Sequence, residues 1–326
     1  MIGLDTSHVI AFTKLLNDPN ADGHVPGGKV VAAYKGGSED VESSYTRVDK
    51  YTEQLETEFG VKIVDTIEEL CTLVDAVLLE SVDGRPHLEQ ARPVFEAGKP
   101  IFIDKPIAGS LDDAIEIFRL AKEHDVPCFS SSSYRYYPSL VELKQVDVGE
   151  IRGAISYGPC SLEPHHPDLF WYGVHATEAL FAVMGTGVKS VVRTATADTD
   201  VITGVWSDEE PKPRRFWRPW KKSEHVWADG RVGTLRGLRN AKTPHQVIIF
   251  GTKAVAAQEG SGDYAPLVVE IMKFFQTGVA PVSPQETIEM FAFMEAADES
   301  KRRGGVPVSI RDVLDLHSGG KPLPYE

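Results

Sequence analysis

The chain lacks an excess of positive charge, a long hydrophobic run and a cysteine framework. Its 34 Lys and Arg stand against 48 Asp and Glu, a net charge of −14. Neither nucleic acid nor an anionic membrane surface is therefore expected as a general partner, since both need a basic face. A local cluster of Arg and Lys would still suffice for a small anion. No apolar stretch approaches the roughly 20 residues that span a bilayer, and no signal-peptide pattern opens the sequence. The three cysteines, Cys71, Cys128 and Cys160, are odd in number and far apart. They fit neither a disulfide scaffold nor a zinc knuckle and suit buried thiols in a reducing compartment. The cytoplasm is the expected location. The first strand, opening at Met1-Ile2-Gly3, is abruptly short and leaves room for an upstream start.

What is present is the texture of a two-domain globular protein: 326 residues, 42% apolar and 25% charged. Over residues 1–130, apolar strands at 1–4, 29–34, 61–64, 76–80, 101–103 and 128–130 alternate with helical spacing at 7–16, 42–59, 66–74, 86–97 and 111–124. Ser110 and Asp113 form a capping pair for the last of these helices. Such alternation predicts a doubly wound parallel sheet. Residues 131–326 change character. Strands at 151–157, 188–197, 201–206, 232–238, 247–250 and 254–259 follow one another, with helices at 172–184, 266–276 and 285–302 and a last strand at 306–310. This predicts an α+β domain with an open, mainly antiparallel sheet.

Residues 102–106, Phe-Ile-Asp-Lys-Pro, place Lys105 at the C-terminal end of an apolar strand. Open α/β sheets bind ligands in the crevice beyond the carboxyl ends of their strands. A lysine there steadies a negative oxygen or, partly desolvated, exchanges a proton with it; a solvated lysine at a strand end is the competing reading. Further pieces are Asp75-Ala-Val-Leu-Leu-Glu-Ser81 with His87 behind it, Tyr134-Arg135-Tyr136-Tyr137-Pro138, Gly173-Val174-His175, and the segment from Glu286 to Pro307. In order and spacing these resemble the glucose–fructose oxidoreductase / inositol dehydrogenase (Gfo/Idh/MocA) family along nearly the whole chain. Members carry Glu-Lys-Pro or Asp-Lys-Pro where Asp104-Lys105-Pro106 stands here. The resemblance implies a Rossmann-like first domain with NAD or NADP, and a second domain that takes a sugar, polyol or related carbohydrate. It further implies hydride transfer at a CH–OH carbon, and a homo-oligomer paired through the outer sheet face.

At the cofactor end, Gly3-Leu4-Asp5-Thr6-Ser7-His8 occupies the turn where such a domain carries GxGxxG. The first glycine is present, while Asp5 and His8 replace the second and third. The second glycine normally lets the backbone approach the pyrophosphate, so Asp5 adds a side chain and a charge of the wrong sign. The helix N-terminus still offers backbone N–H groups, and Ser7 a further donor. Beyond the second strand, Tyr34-Lys35-Gly36-Gly37-Ser38 holds no acid for the ribose. Lys35 and Ser38 suit a 2′-phosphate, which favours NADP; alternatively Lys35 is solvated and the glycines only turn the chain. By resemblance Ser81, His87 and Asp104 line the nicotinamide side, with Asp83 in place of an amide and Arg85 as an extra cation. A satisfied helix-start histidine is the other reading of His87.

At the catalytic end, His175 opens a predicted helix with Glu178 on the same face. Hydride transfer needs a group that takes the hydroxyl proton and a cation that steadies the oxygen. Lys105 and His175 are the candidates, and the resemblance implies these roles. Aspartates that family members often carry four residues before and three after this histidine are here Trp171 and Glu178, with Asp168 the candidate substitute. Arg135, Tyr136, Tyr172 and Arg236 are the expected substrate contacts. The His165-His166 pair invites a metal, but adjacent histidines rarely face one site, and no metal is expected. Residues 208–227, rich in Arg, Lys, Trp and Pro, read as an insertion that binds a sugar or anion, anchors a subunit, or is a surface loop. Two rivals to the dehydrogenase remain. One is a lyase or hydrolase that oxidises its sugar transiently with tightly held NAD(P); the other is a non-catalytic dinucleotide or sugar sensor.

Overall fold

Short strands with apolar side chains on both faces build the first sheet of the computed structural model, which describes residues 1–207 and 230–326. Strands β1 (Ala32–Tyr34), β2 (Lys62–Val64), β3 (Val77–Leu79), β4 (Ile101–Ile103) and β5 (Cys128–Ser130) all run parallel. The strand expected at residues 1–4 is reduced to bridges from Ile2 to Tyr34 and Leu79, because Gly3 already turns the chain with a φ of +80°. Ile2 thus joins two halves in the order β2-β1-Ile2-β3-β4-β5. β3, β4 and β5 are buried at every position, as a sheet covered on both faces requires. Helix Leu111–Glu123 presents Ala114, Ile115, Ile117, Phe118 and Ala121 to this core and starts at Ser110, whose side chain accepts from Asp113 N–H at 3.1 Å.

The second sheet has the order β11-β10-β6-β9-β8-β7-β12. Its members are β6 (Ile151–Pro159), β7 (Val188–Ala195), β8 (Thr199–Trp206), β9 (Arg231–Leu238), β10 (Gln246–Gly251), β11 (Val255–Ala257) and β12 (Val308–Ser309). All neighbours are antiparallel except β6 and β9. One face is packed by helices Gly173–Met184 and Pro284–Arg302. The Trp206 ring lies on that face over Gly204 and Gly233, where a Cβ would come within 2.7 and 2.6 Å of it. Its indole N–H donates to Gly185 O.

The domain line is less simple than a cut after residue 130. Helix Ala265–Thr277 follows the second sheet in sequence, yet its Leu267, Val268, Ile271 and Phe274 share a core with Val9, Phe12, Phe102 and Phe129 of the first domain. The segment 208–227 lies outside the described residues.

Candidate active site

The carboxyl ends of β3 and β4 deliver Glu80, Asp104 and Lys105 to one place, and the first turn of helix Ser7–Asn17 adds His8. His8 Nδ1 lies 2.8 Å from Asp104 Oδ2 and 3.8 Å from Glu80 Oε2; Lys105 Nζ lies 3.5 Å from Asp104 Oδ2. Glu80 and Asp104 are wholly buried, and neither oxygen of Glu80 accepts a hydrogen bond among the described residues. Burial, then the neighbouring Asp104 charge, pushes the Glu80 carboxyl well up. Asp104 is driven the other way. Burial opposes its charge, but His8 and Lys105 together hold it well below the carboxylate range. The two carboxyls are thus driven apart, Glu80 toward its neutral form and Asp104 toward its charged form. Donor atoms of His8, Glu80 and Asp104 lie within 4.8 Å of one another, so this set, and not His165-His166, has metal-ligand proximity. The Lys105 ammonium already places a cation beside it.

His175 approaches from the other domain. Its Nδ1 is 2.7 Å from Ser132 Oγ, Tyr172 meets its ring edge-on at 5.3 Å, and His245 at 5.4 Å. Burial, followed by the nearby charge of Lys105, lowers His175 well below the ordinary histidine range. Burial lowers His245 to about 4. Both imidazoles are therefore neutral at neutral pH, beside a lysine.

Glu178 does not orient His175 directly. It accepts from Ser132 N–H at 2.7 Å, from Arg135 Nε at 2.8 Å and from the Ser131 hydroxyl, so its influence passes through Ser132. The guanidinium of Arg135, expected as a substrate contact, is paired with Glu178 and Glu286. Asp168 likewise pairs with Arg193 at 3.0 Å and with Lys301. It belongs to a network in which the buried Arg193 also holds Asp200 and Asp298. Arg236 leaves β9 on the exposed face, opposite the buried Gly233, Leu235 and Gly237; strand alternation turns it away from the helices that carry the site. Tyr136 packs half-buried against the first domain's core. Tyr172 is exposed beside His175.

The sequence-predicted cofactor residues divide. Gly3 is needed as glycine, because a Cβ there would lie 2.1 Å from Ser81 Oγ and its φ is positive. Ser7 is exposed at the helix start. Asp5 is turned inward, its Oδ1 accepting Val82 N–H at 2.9 Å and its Oδ2 the Ser44 hydroxyl at 2.6 Å. Burial pushes its carboxyl up against these bonds. The side chain that broke the glycine pattern thus ties the first turn to the loop after β3. His87 is structural, with Nε2 2.8 Å from Ser81 O and Nδ1 3.1 Å from Ile107 O, fully buried. Ser81 Oγ donates to Gln90 at 2.8 Å. Lys35 pairs with Asp49 at 2.6 Å, and Ser38 Oγ donates to Asp83 at 2.6 Å. Glu80, Ser132 and His245 were missed. Glu80 lay inside a recognised strand-end motif, whereas His245 carries no local signal.

A family model described as "Oxidoreductase family, NAD-binding Rossmann fold" (GFO_IDH_MocA) matches residues 20–132. That match covers most of the first domain and about a third of the chain. Over nearly the whole chain, the fold is shared with several solved structures. A putative myo-inositol dehydrogenase from Sinorhizobium meliloti superposes with a TM-score of 0.73 at 16% identity, covering 95% of this chain and 99% of that one. For a probable dehydrogenase from Thermotoga maritima the values are 0.72, 18%, 95% and 98%. Scyllo-inositol dehydrogenase from Lactobacillus casei, solved with NAD(H) and scyllo-inositol, gives 0.70, 15%, 95% and 98%. No curated protein sequence matches the chain.

Proposed function

We propose that this protein is an NAD(P)-dependent dehydrogenase that oxidises a CH–OH group of a polyol or sugar at Lys105 and His175. The observation that carries the reading is the convergence of a lysine, a neutral histidine and a split carboxyl pair at the strand ends of an NAD-binding Rossmann domain.

The crevice fits a dinucleotide by its unused groups. Buried oxygens of Glu80 lacking partners call for hydroxyl or amide donors, which a nicotinamide riboside has. The N-terminus of helix Ser7–Asn17 offers backbone N–H groups to an anion, beside the Ser7 side chain that bonds Tyr264. Asp5 does not oppose that anion, since its oxygens face Val82 and Ser44. Once bound, the nicotinamide supplies the hydride acceptor. His175, kept neutral by burial and set by Ser132, takes the hydroxyl proton, while Lys105 steadies the oxygen as negative charge develops on it.

The carbohydrate class is drawn from the inositol dehydrogenases that share the fold. The half-open rim at Tyr172 and His245 supports it, because an aromatic face and an imidazole suit a ring that is apolar on its faces and hydroxylated at its edge. Assembly through the open sheet face, where Val232 and Phe250 are exposed, gives a homo-oligomer. Light scattering that returned only a 35.8 kDa particle would refute that assembly. Reduction of NAD or NADP on mixing the purified protein with a panel of inositols, aldoses and sugar acids tests the activity. Turnover of a sugar with no net reduced nicotinamide would favour transient oxidation instead.

A further inference from the structure

We propose that Asp40 makes this crevice prefer NAD(H) by occupying the guanidinium fork of Arg85, which would otherwise receive the 2′-phosphate of NADP(H). The inference rests on the dinucleotide reading above and reverses the NADP preference expected from Lys35 and Ser38.

In this type of sheet the adenosine ribose meets the turn after the second strand, and a nearby arginine takes a 2′-phosphate when one is present. That turn here runs from Lys35 to Asp40. Arg85 reaches it from the loop after β3. Its Nη1 and Nη2 donate to the two oxygens of Asp40 at 2.9 and 2.7 Å, the bidentate geometry a phosphate would otherwise use. The remaining edge is also taken, with Nε and Nη2 on Asp83 at 3.0 and 2.7 Å.

The other expected phosphate partners are committed in the same way. Ser38 spends its hydroxyl proton on Asp83, and Lys35 faces Asp49. Asp83 stays ionised although buried, through hydrogen bonds from His166, Arg85 and Ser38. A 2′-phosphate entering this corner would have to break the Arg85–Asp40 pair and then lie beside the displaced carboxylate. A ribose 2′-hydroxyl meets no such penalty, because carboxylates accept from it. Cation and anion are thus both present at the turn, and the anion decides.

Asp40 is half-exposed and its partner loop is held independently by Asp83, so Asp40→Asn should leave the fold intact, a point checked by circular dichroism. Calorimetric titration with NADH and NADPH reads the inference without any substrate. The wild-type protein should bind NADH at least about tenfold more tightly than NADPH. Asp40→Asn should shrink that ratio by roughly tenfold or more, mainly through tighter NADPH binding, as one freed charge-assisted contact implies. Adding Arg85→Met to Asp40→Asn should abolish the gain. A wild-type preference for NADPH, or an unchanged ratio in Asp40→Asn, would overturn the selector role while leaving the dinucleotide reading standing. Binding of neither nucleotide by the wild type would overturn both.

Discussion

Replacing Asp5 by alanine tests why a glycine-rich turn tolerates an aspartate. The side chain is fully buried and accepts two hydrogen bonds, from Val82 N–H at 2.9 Å and from Ser44 Oγ at 2.6 Å. Ser44 Oγ in turn accepts Ser38 N–H at 2.7 Å, so one carboxyl ties three loops together at the mouth of the crevice. Alanine strands a backbone N–H and a hydroxyl in a buried place. Each unsatisfied group costs about 1–3 kcal/mol, so the loss should be about 2–6 kcal/mol. That is a large share of the roughly 5–15 kcal/mol typical of a domain. Asparagine keeps the shape and one acceptor, and Ser44 can accept from its amide, so Asp5→Asn should lose only about 1 kcal/mol. Urea unfolding followed by circular dichroism measures both. Asp5→Ala within about 0.5 kcal/mol of the wild type would refute the bridge and return Asp5 to the pyrophosphate.

Two further outcomes follow from buried charge. His245 has a folded value of about 4 against an ordinary 6.5, so it favours folding when neutral. That contribution is complete above pH 6.5 and is lost as pH falls through 4; it amounts to about 3 kcal/mol at most. His245→Asn should flatten the acid limb of a stability–pH curve by up to this amount, and an unchanged limb would show that His245 is solvated. Arg193→Met should destabilise by about 3–5 kcal/mol, because Asp298 would be left buried without its cation while Asp200 kept only Arg239. Asp298, already pushed up to about 7 by burial, is the acid that should then take a proton. A chemical-denaturation midpoint like that of the wild type would contradict the network.

The fold was legible because its signals are local and redundant. Strand–helix alternation fixed the parallel sheet, and Ser110 capped its helix where the spacing placed it. The position of Lys105 just beyond a strand end of the parallel sheet was legible for the same reason. What escaped depends on partners distant in sequence. Asp168 and Arg135 looked available for substrate until Arg193, Lys301, Glu178 and Glu286 were seen to claim them. Lys35 and Ser38 looked ready for phosphate until Asp49 and Asp83 met them. Arg236 was lost to strand parity, since one step of register decides which face a side chain takes. That helix Ala265–Thr277 packs on the first domain's core was not legible, because its apolar stripe says that it packs, not where.

The most direct measurement is the rate of nicotinamide reduction by wild-type protein and by Lys105→Met on a substrate found in the carbohydrate panel, alongside calorimetric affinity for the cofactor. Methionine keeps the stem of a side chain that is only 12% exposed and removes its charge. The account predicts a fall in turnover on the order of a hundredfold or more, with cofactor affinity changed far less, because it assigns the adenosine end to the Lys35–Asp40 turn. Near-normal turnover by Lys105→Met would contradict it and leave the lysine a structural part of the strand end.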